Sequence, residues 1–243
     1  MRTLHIDPIF GISGDMMISA LIDAGMPIEF LLKPLTGVQA ELPSIVPVRK
    51  QQGTIQGIHL EIGACQLHLS VHDMETLIRA TDADNEVKAD ALAMLEIILE
   101  AEAKVHGTTR DEVHLHELAH VDTLIDLLGV ATGIRYFGIQ RVYCGTIPHG
   151  RGFIKTAHGM LPNPPPVTLE ILSDFPAFFC DEALEMTTPT GAAIVRHYVK
   201  EKMLIPPLEV ERIGYGFGSY KTEKPDVLRL MIGATRNPPW QDP

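Results

Sequence analysis

The sequence predicts an α+β fold, a mixed β-sheet packed with helices in a single large domain. Three observations carry that expectation. Hydrophobic residues make up 45% and charged residues 21% of the 243 positions, the balance of a globular chain long enough to bury a substantial core. Apolar residues recur at helical spacing in some stretches and alternate, strand-like, in others. The order of these stretches mixes hairpin-like strand pairs with crossover helices instead of repeating a regular βαβ series.

Each element follows from local chemistry. Leu4 to Ile6 reads as a short strand entering a glycine-bearing turn, Gly11-Ile-Ser-Gly-Asp15. A helix from about Met16 to Asp23 follows, with Ser13 as its cap and Gly25 as its stop. Between residues 36 and 70, Ile45, Val46 and Val48, then Ile55, Ile58, Leu60 and Ile62, are strand-like. One helix begins near Asp73, and a long one spans Glu86 to Val105, ended by Gly107. Glu112 to Leu115 reads as a short strand before a helix from Val121 to Tyr136. Strands at Arg141 to Cys144 and Gly152 to Thr156 precede a proline bend, Pro162 with Pro164 to Pro166, and a helix from Val167 to Leu172. Thr187-Thr-Pro-Thr-Gly191 opens a helix through Val199. Two strands, Val210 to Ile213 and Val227 to Ile232, then flank a glycine-rich turn. Residues 1–234 read as the domain and 235–243 as a tail or linker stub.

Composition excludes several function classes. Lys and Arg number 20 against 31 Asp and Glu, a net charge of −11, which disfavours nucleic acid and anionic membrane as partners. Cys65, Cys144 and Cys180 form no C-x-x-C pair, so neither a disulfide framework nor a thiolate zinc site is expected. No signal-peptide core or run of roughly 20 apolar residues appears, and the expected location is cytoplasmic. Histidine is in excess: 11 residues, more than Trp and Phe together.

Position shows where that excess matters. Val113-His-Leu-His-Glu-Leu-Ala-His-Val-Asp-Thr-Leu-Ile-Asp126 is the densest constellation. On a strand His114 and His116 project to one side, and on a helix Asp122 and Asp126 share one face. A strand-to-helix junction thus brings imidazoles to carboxylates, a donor set for a divalent transition metal. The segment also contains H-E-x-x-H, His116 to His120, the zinc-peptidase signature with Glu as general base, which requires both histidines on one helix. The turn at Ser13, Gly14 and Asp15, with Asp7 upstream, suits a metal or a metal-bridged phosphate. Gly150 to Gly159, containing Arg151, Lys155 and His158, and the hydroxyl-rich start at Thr188, Thr190 and Gly191 read as ligand loops. Gly214-Tyr-Gly-Phe-Gly218 reads first as a hairpin turn.

Six motifs in order together resemble one family over nearly the whole chain. They are Asp7 with Gly11 to Met16, Glu102-Ala-Lys-Val-His-Gly107, Val113 to Glu117 leading to Asp122 and Asp126, Ala157-His-Gly159, Thr187 to Ala193, and Gly214-Tyr-Gly216 leading to Val227-Leu-Arg229. They are similar to the N-terminal portion of the LarC family, nickel insertion proteins of nickel-pincer cofactor synthesis. The resemblance implies insertion of Ni²⁺ into pyridinium bisthiocarboxylate mononucleotide, forming two nickel–sulfur bonds and one nickel–carbon bond, with CTP and a divalent cation used by the family's C-terminal domain. It implies Asp7, Asp15, His114, His116, Asp122 and Asp126 around the metal. His116 or Glu117 would take the ring proton, and Ser13, Gly14, His158, Thr188, Thr190 and Gly191 would lie around the mononucleotide. The sequence departs from the family at three places: it carries only His68 and His72 where members often have a histidine run, His120 replaces a small residue, and no C-terminal domain follows Pro243. A C-terminal LarC-type domain or chain is therefore the expected partner. A homo-oligomer stays open, as does the alternative of a non-catalytic module that holds nickel or mononucleotide for that partner.

Overall fold

The computed structural model describes residues 1–36, 42–65, 67–113, 115, 118–156, 159–201 and 206–235. Its centre is a mixed six-stranded sheet ordered β2 (Ile45–Gln52), β3 (Ile55–Ile62), β9 (Leu208–Phe217), β10 (Val227–Thr235), β1 (Arg2–Asp7) and β4 (Arg141–Cys144). The pairs β2–β3, β9–β10 and β10–β1 are antiparallel, whereas β3–β9 and β1–β4 are parallel. Two small two-stranded ladders stand apart: β5 (Ile147–His149) with β8 (Ala177–Phe179), and β6 (Phe153–Thr156) with β7 (Gly159–Pro162). Seven helices among the described residues complete the α+β domain: α1 (Gly14–Asp23), α2 (Ile28–Leu35), α3 (Val71–Ala80), α4 (Asn85–His106), α5 (Val121–Tyr136), α6 (Pro166–Ile171) and α7 (Pro189–Tyr198).

Helices α1 and α5 lie at the centre of a core that α4 and α7 extend. Helix α1 packs on β3, β9 and β10 with one face and on α5 with the other. Residues 123–134 of α5 are all buried, so this helix has no solvent face and its sequence shows little amphipathic periodicity. Two glycines let α1 lie on the sheet. A Cβ on Gly214 would fall 1.9 Å from the Ala20 carbonyl oxygen, and one on Gly216 would fall 2.0 Å from that of Met16. The Gly214–Gly216 run is therefore part of strand β9, not the hairpin turn that its composition suggested.

Caps follow the sequence closely. Ser13 caps α1, Ser70 with Asp73 forms a capping box on α3, and Gly107 ends α4 in the left-handed region at φ 66°. Of the short strand expected at 112–115, the described residues 112, 113 and 115 form no strand. Arg110–Glu112 is a 3₁₀ turn, because the Glu112 carboxylate accepts hydrogen bonds from the Thr108 and Thr109 hydroxyls and closes the chain on itself; Val113 and Leu115 are in no strand. Helix α2 and strands β5, β7 and β8 carry too short a pattern to be read from sequence. Of the expected tail, Thr235 belongs to β10, and residues 236–243 lie outside the described residues.

Candidate active site

The site forms where three helices begin. Residues 11–13 and 186–188 lace together: the Ile12 amide donates to the Met186 carbonyl at 2.9 Å, and the Thr188 amide donates to the Ile12 carbonyl at 3.1 Å. A Cβ on Gly191 would lie 2.2 Å from the Ile12 oxygen, so glycine lets α7 start against the α1 loop. Gly14 does the same for α5: its Cβ would fall 2.2–2.4 Å from the Asp126 side chain. The first turns of α1, α5 and α7 carry Asp15, Asp122 and Thr190, and the helix dipoles favour negative charge at all three starts.

Asp126 is the most constrained acid. It is buried, the Thr190 side chain hydrogen-bonds its carboxyl, and its Oδ1 has no partner. Burial raises its pKa well above the usual carboxylate range, and Asp15 and Asp122 push the same way. The Asp122 pKa is also raised, although the residue is open to solvent: partial desolvation comes first, with His120 opposing and Asp15 adding. Asp15 is held by the Ser13 hydroxyl. The His120 ring meets His68 edge to face at 5.5 Å across an isolated bridge between the two residues.

Two cavities meet at these acids. The larger, about 880 Å³, is lined by Asp122, Asp126, His120, Thr188, Thr190 and Lys155, with an apolar side that includes Phe153, Ile154, Leu161 and Val167. The smaller, about 580 Å³, is lined by Asp15, His59, Glu61, Ser44 and Ser219, and again by Asp122 and Asp126. The β6–β7 hairpin forms one wall of the larger cavity and exposes Phe153 and Met160.

Of the residues singled out from sequence, the fold brings Asp15, Asp122, Asp126, Thr188 and Thr190 together. Ser13, Gly14 and Gly191 support them from behind. Asp7 lines neither cavity: Arg229 grips its carboxylate through Nε at 3.0 Å and through a second guanidinium nitrogen. His114, His116, Glu117 and His158 lie outside the described residues, although Leu115 and Leu118 line the larger cavity. Among the described residues no three His, Cys, Asp or Glu side chains close on one point as a metal cage. The peptidase arrangement lacks its helix, because Ala119 and His120 precede α5 and His120 is extended at φ −121°, ψ 158°. Glu102 and His106, marked in sequence only through the Glu102–Gly107 motif, also line the larger cavity and pair at 3.2 Å on α4, and the smaller cavity adds His59 and Glu61, which carried no functional expectation. The i,i+4 spacing of Glu102 and His106 was a readable signal; nothing local marked His59.

The comparisons with known proteins agree among themselves. A family model described as nickel insertion protein matches residues 4–242. The pyridinium-3,5-bisthiocarboxylic acid mononucleotide nickel insertion protein of Desulfitobacterium hafniense (strain DSM 10664 / DCB-2) is 37% identical over 235 residues, 96% of this chain and 58% of its own length. A putative nickel insertion protein of Geotalea daltonii is 38% identical over 240 residues, 97% of this chain and 62% of its own. A protein of Thermotoga sp. (strain RQ2) with the same name as the first is 35% identical, covering 96% of this chain and 61% of its own length. The chain thus spans about three fifths of the curated relatives it matches. No solved structure matches it.

Proposed function

The chain belongs to the nickel insertion protein family, and on that footing we propose that it carries the nickel- and mononucleotide-handling site for making the nickel-pincer cofactor. The substrate is the pyridinium bisthiocarboxylate mononucleotide, and Ni²⁺ is its co-substrate. One observation carries the reading: Asp122 and Asp126 stand on both cavities, and Asp126 presents a buried carboxylate oxygen with no protein partner. A buried polar atom of this kind is a standing cost that a bound cation relieves.

The larger cavity suits the organic substrate. Its apolar side takes the pyridinium ring, and Lys155 with the Thr188 and Thr190 hydroxyls at the α7 start suits the phosphate. Gly191 contributes indirectly, since its amide is already engaged by the Thr188 hydroxyl at 3.1 Å. Imidazole and carboxylate ligands are of the type that holds nickel while letting it exchange. Nickel–carbon bond formation breaks a ring C–H bond. The electron pair goes to Ni²⁺, and the proton goes to His116 or Glu117, whose neighbours Leu115 and Leu118 border the cavity. CTP and its divalent cation are used by a C-terminal LarC-type domain or chain, which completes the insertase, a lyase by reaction class.

The test is cofactor formation from purified chain, precursor, Ni²⁺ and CTP, with and without the C-terminal partner chain. Asp122→Asn and Asp126→Asn are expected to weaken Ni²⁺ binding at least about tenfold and to abolish product. Wild-type nickel binding and turnover in both variants would overturn the reading. A chain that binds nickel and precursor yet forms product only with the partner is the holding module instead.

A further inference from the structure

The two cavities that meet at Asp122 and Asp126 differ in chemistry. The larger has the apolar side described above; the smaller, though Val46, Leu60 and Ile62 also border it, gathers Asp15, Glu61, His59, Ser44 and Ser219. His59 stands on β3, and its Nδ1 lies 2.9 Å from the carbonyl oxygen of Phe217 on β9. A carbonyl oxygen only accepts, so Nδ1 carries the proton and Nε2 keeps its lone pair. Metal-ligating histidines are commonly fixed this way, with the second ring nitrogen donating to a backbone carbonyl. An acidic wall alone is an ordinary solvated face. Here a second observation points to a cation: Asp126, only 8% exposed, lines the same cavity with its Oδ1 unpartnered. The nearby Lys50 is tethered elsewhere, donating to the Gly218 carbonyl at 2.8 Å over the Phe217 ring.

We infer that the smaller cavity is the entry route for Ni²⁺, with His59 Nε2 as its first imidazole ligand and Asp122 and Asp126 as the point of handover to the mononucleotide in the larger cavity. The inference rests on the function proposed above. Nickel moves along the route on one or two protein ligands at a time, so no closed cage is needed, and the organic substrate keeps its own entrance. No bond to carbon or sulfur is made on this path; only water and protein ligands exchange on the metal.

The probe is nickel sulfate alone, added below one equivalent to the full 243-residue chain with its histidines ¹⁵N-labelled. Paramagnetic broadening of the His59 ring nitrogens is expected, with Nε2 affected more than Nδ1. His59→Ala is expected to slow nickel uptake by about tenfold while leaving precursor binding at the wild-type affinity. Unbroadened His59 signals in a chain that takes up nickel, or wild-type uptake by the variant, overturns the route. Should His59→Ala fail to fold because the Phe217 carbonyl loses its partner, the wild-type titration decides alone. Nickel binding that survives Asp122→Asn and Asp126→Asn sinks the proposed function instead, so the two failures are distinct.

Discussion

Replacing Asp126 by Asn is expected to stabilise the metal-free protein while removing its nickel site. The Asp126 carboxyl is buried beside Asp15 and Asp122, and one of its oxygens has no partner. An unsatisfied buried polar group costs about 1–3 kcal/mol, more when charged. The amide keeps the unpaired oxygen but removes the charge and supplies donors to face the neighbouring acids, so a gain of about 1–2 kcal/mol is expected. For a domain of this size that corresponds to a melting temperature about 2–8 °C higher. The pH dependence has a definite sign. A carboxyl whose folded pKa is raised destabilises the protein only above its unfolded pKa, near 3.8, and by a full amount only above its folded pKa. The advantage of Asp126→Asn should therefore be small near pH 4 and grow towards pH 8. Thermal melts followed by circular dichroism in EDTA at several pH values measure it. Added Ni²⁺ should then stabilise the wild type and not the variant. A variant that is less stable at pH 8, or a difference that does not change with pH, would refute the reasoning.

Further outcomes follow from the same geometry. Gly14→Ala places a Cβ 2.2 Å from the Asp126 side chain and should cost about 1–3 kcal/mol in urea unfolding while weakening nickel binding. Gly216→Ala, whose Cβ would meet the Met16 carbonyl at 2.0 Å, should destabilise at least as much and leave little folded protein in the same assay. His5, half-buried, and His149, buried, are imidazoles whose pKa values desolvation lowers. Their contribution is therefore lost as pH falls below about 6.5, and His149→Phe should flatten the fall in the urea midpoint between pH 7 and pH 5. Burial, with Asp7 beside it, pushes the Cys144 thiol up to about 12. Cys144 should thus alkylate about a thousandfold more slowly in the folded than in the unfolded protein at pH 8, by mass spectrometry of iodoacetamide-treated samples.

Much of the fold was legible because its signals are local. The α1 cap at Ser13, the α4 stop at Gly107 and the α5 span from Val121 to Tyr136 rest on residues a few positions apart, and the structure places all three where sequence does. Glu112 was misread because the preference of Val113 and Leu115 for strands is weak beside two hydroxyls that bond one carboxylate. The glycines of β9 were misread because their reason is the α1 backbone above them, which belongs to another part of the chain.

For the site, sequence by itself determined the chemistry on offer: an acidic chain, rich in histidine, with carboxylates in the first turns of two helices and hydroxyls at a third. Which groups meet was decided only by the tertiary structure. Asp7, equal to Asp15 in the sequence, is drawn away by Arg229 across the β1–β10 pairing. His59, unremarkable on its strand, is given a defined tautomer by a carbonyl on β9. Asp126 fits its buried corner because the α1 residue beside it is a glycine with no Cβ. Helix periodicity and capping act over a few residues, so a linear pattern reveals them. Desolvation, ion pairing and tautomer choice depend on which distant segments the packing of α1 and α5 brings within a few ångströms, and only the folded chain contains that information.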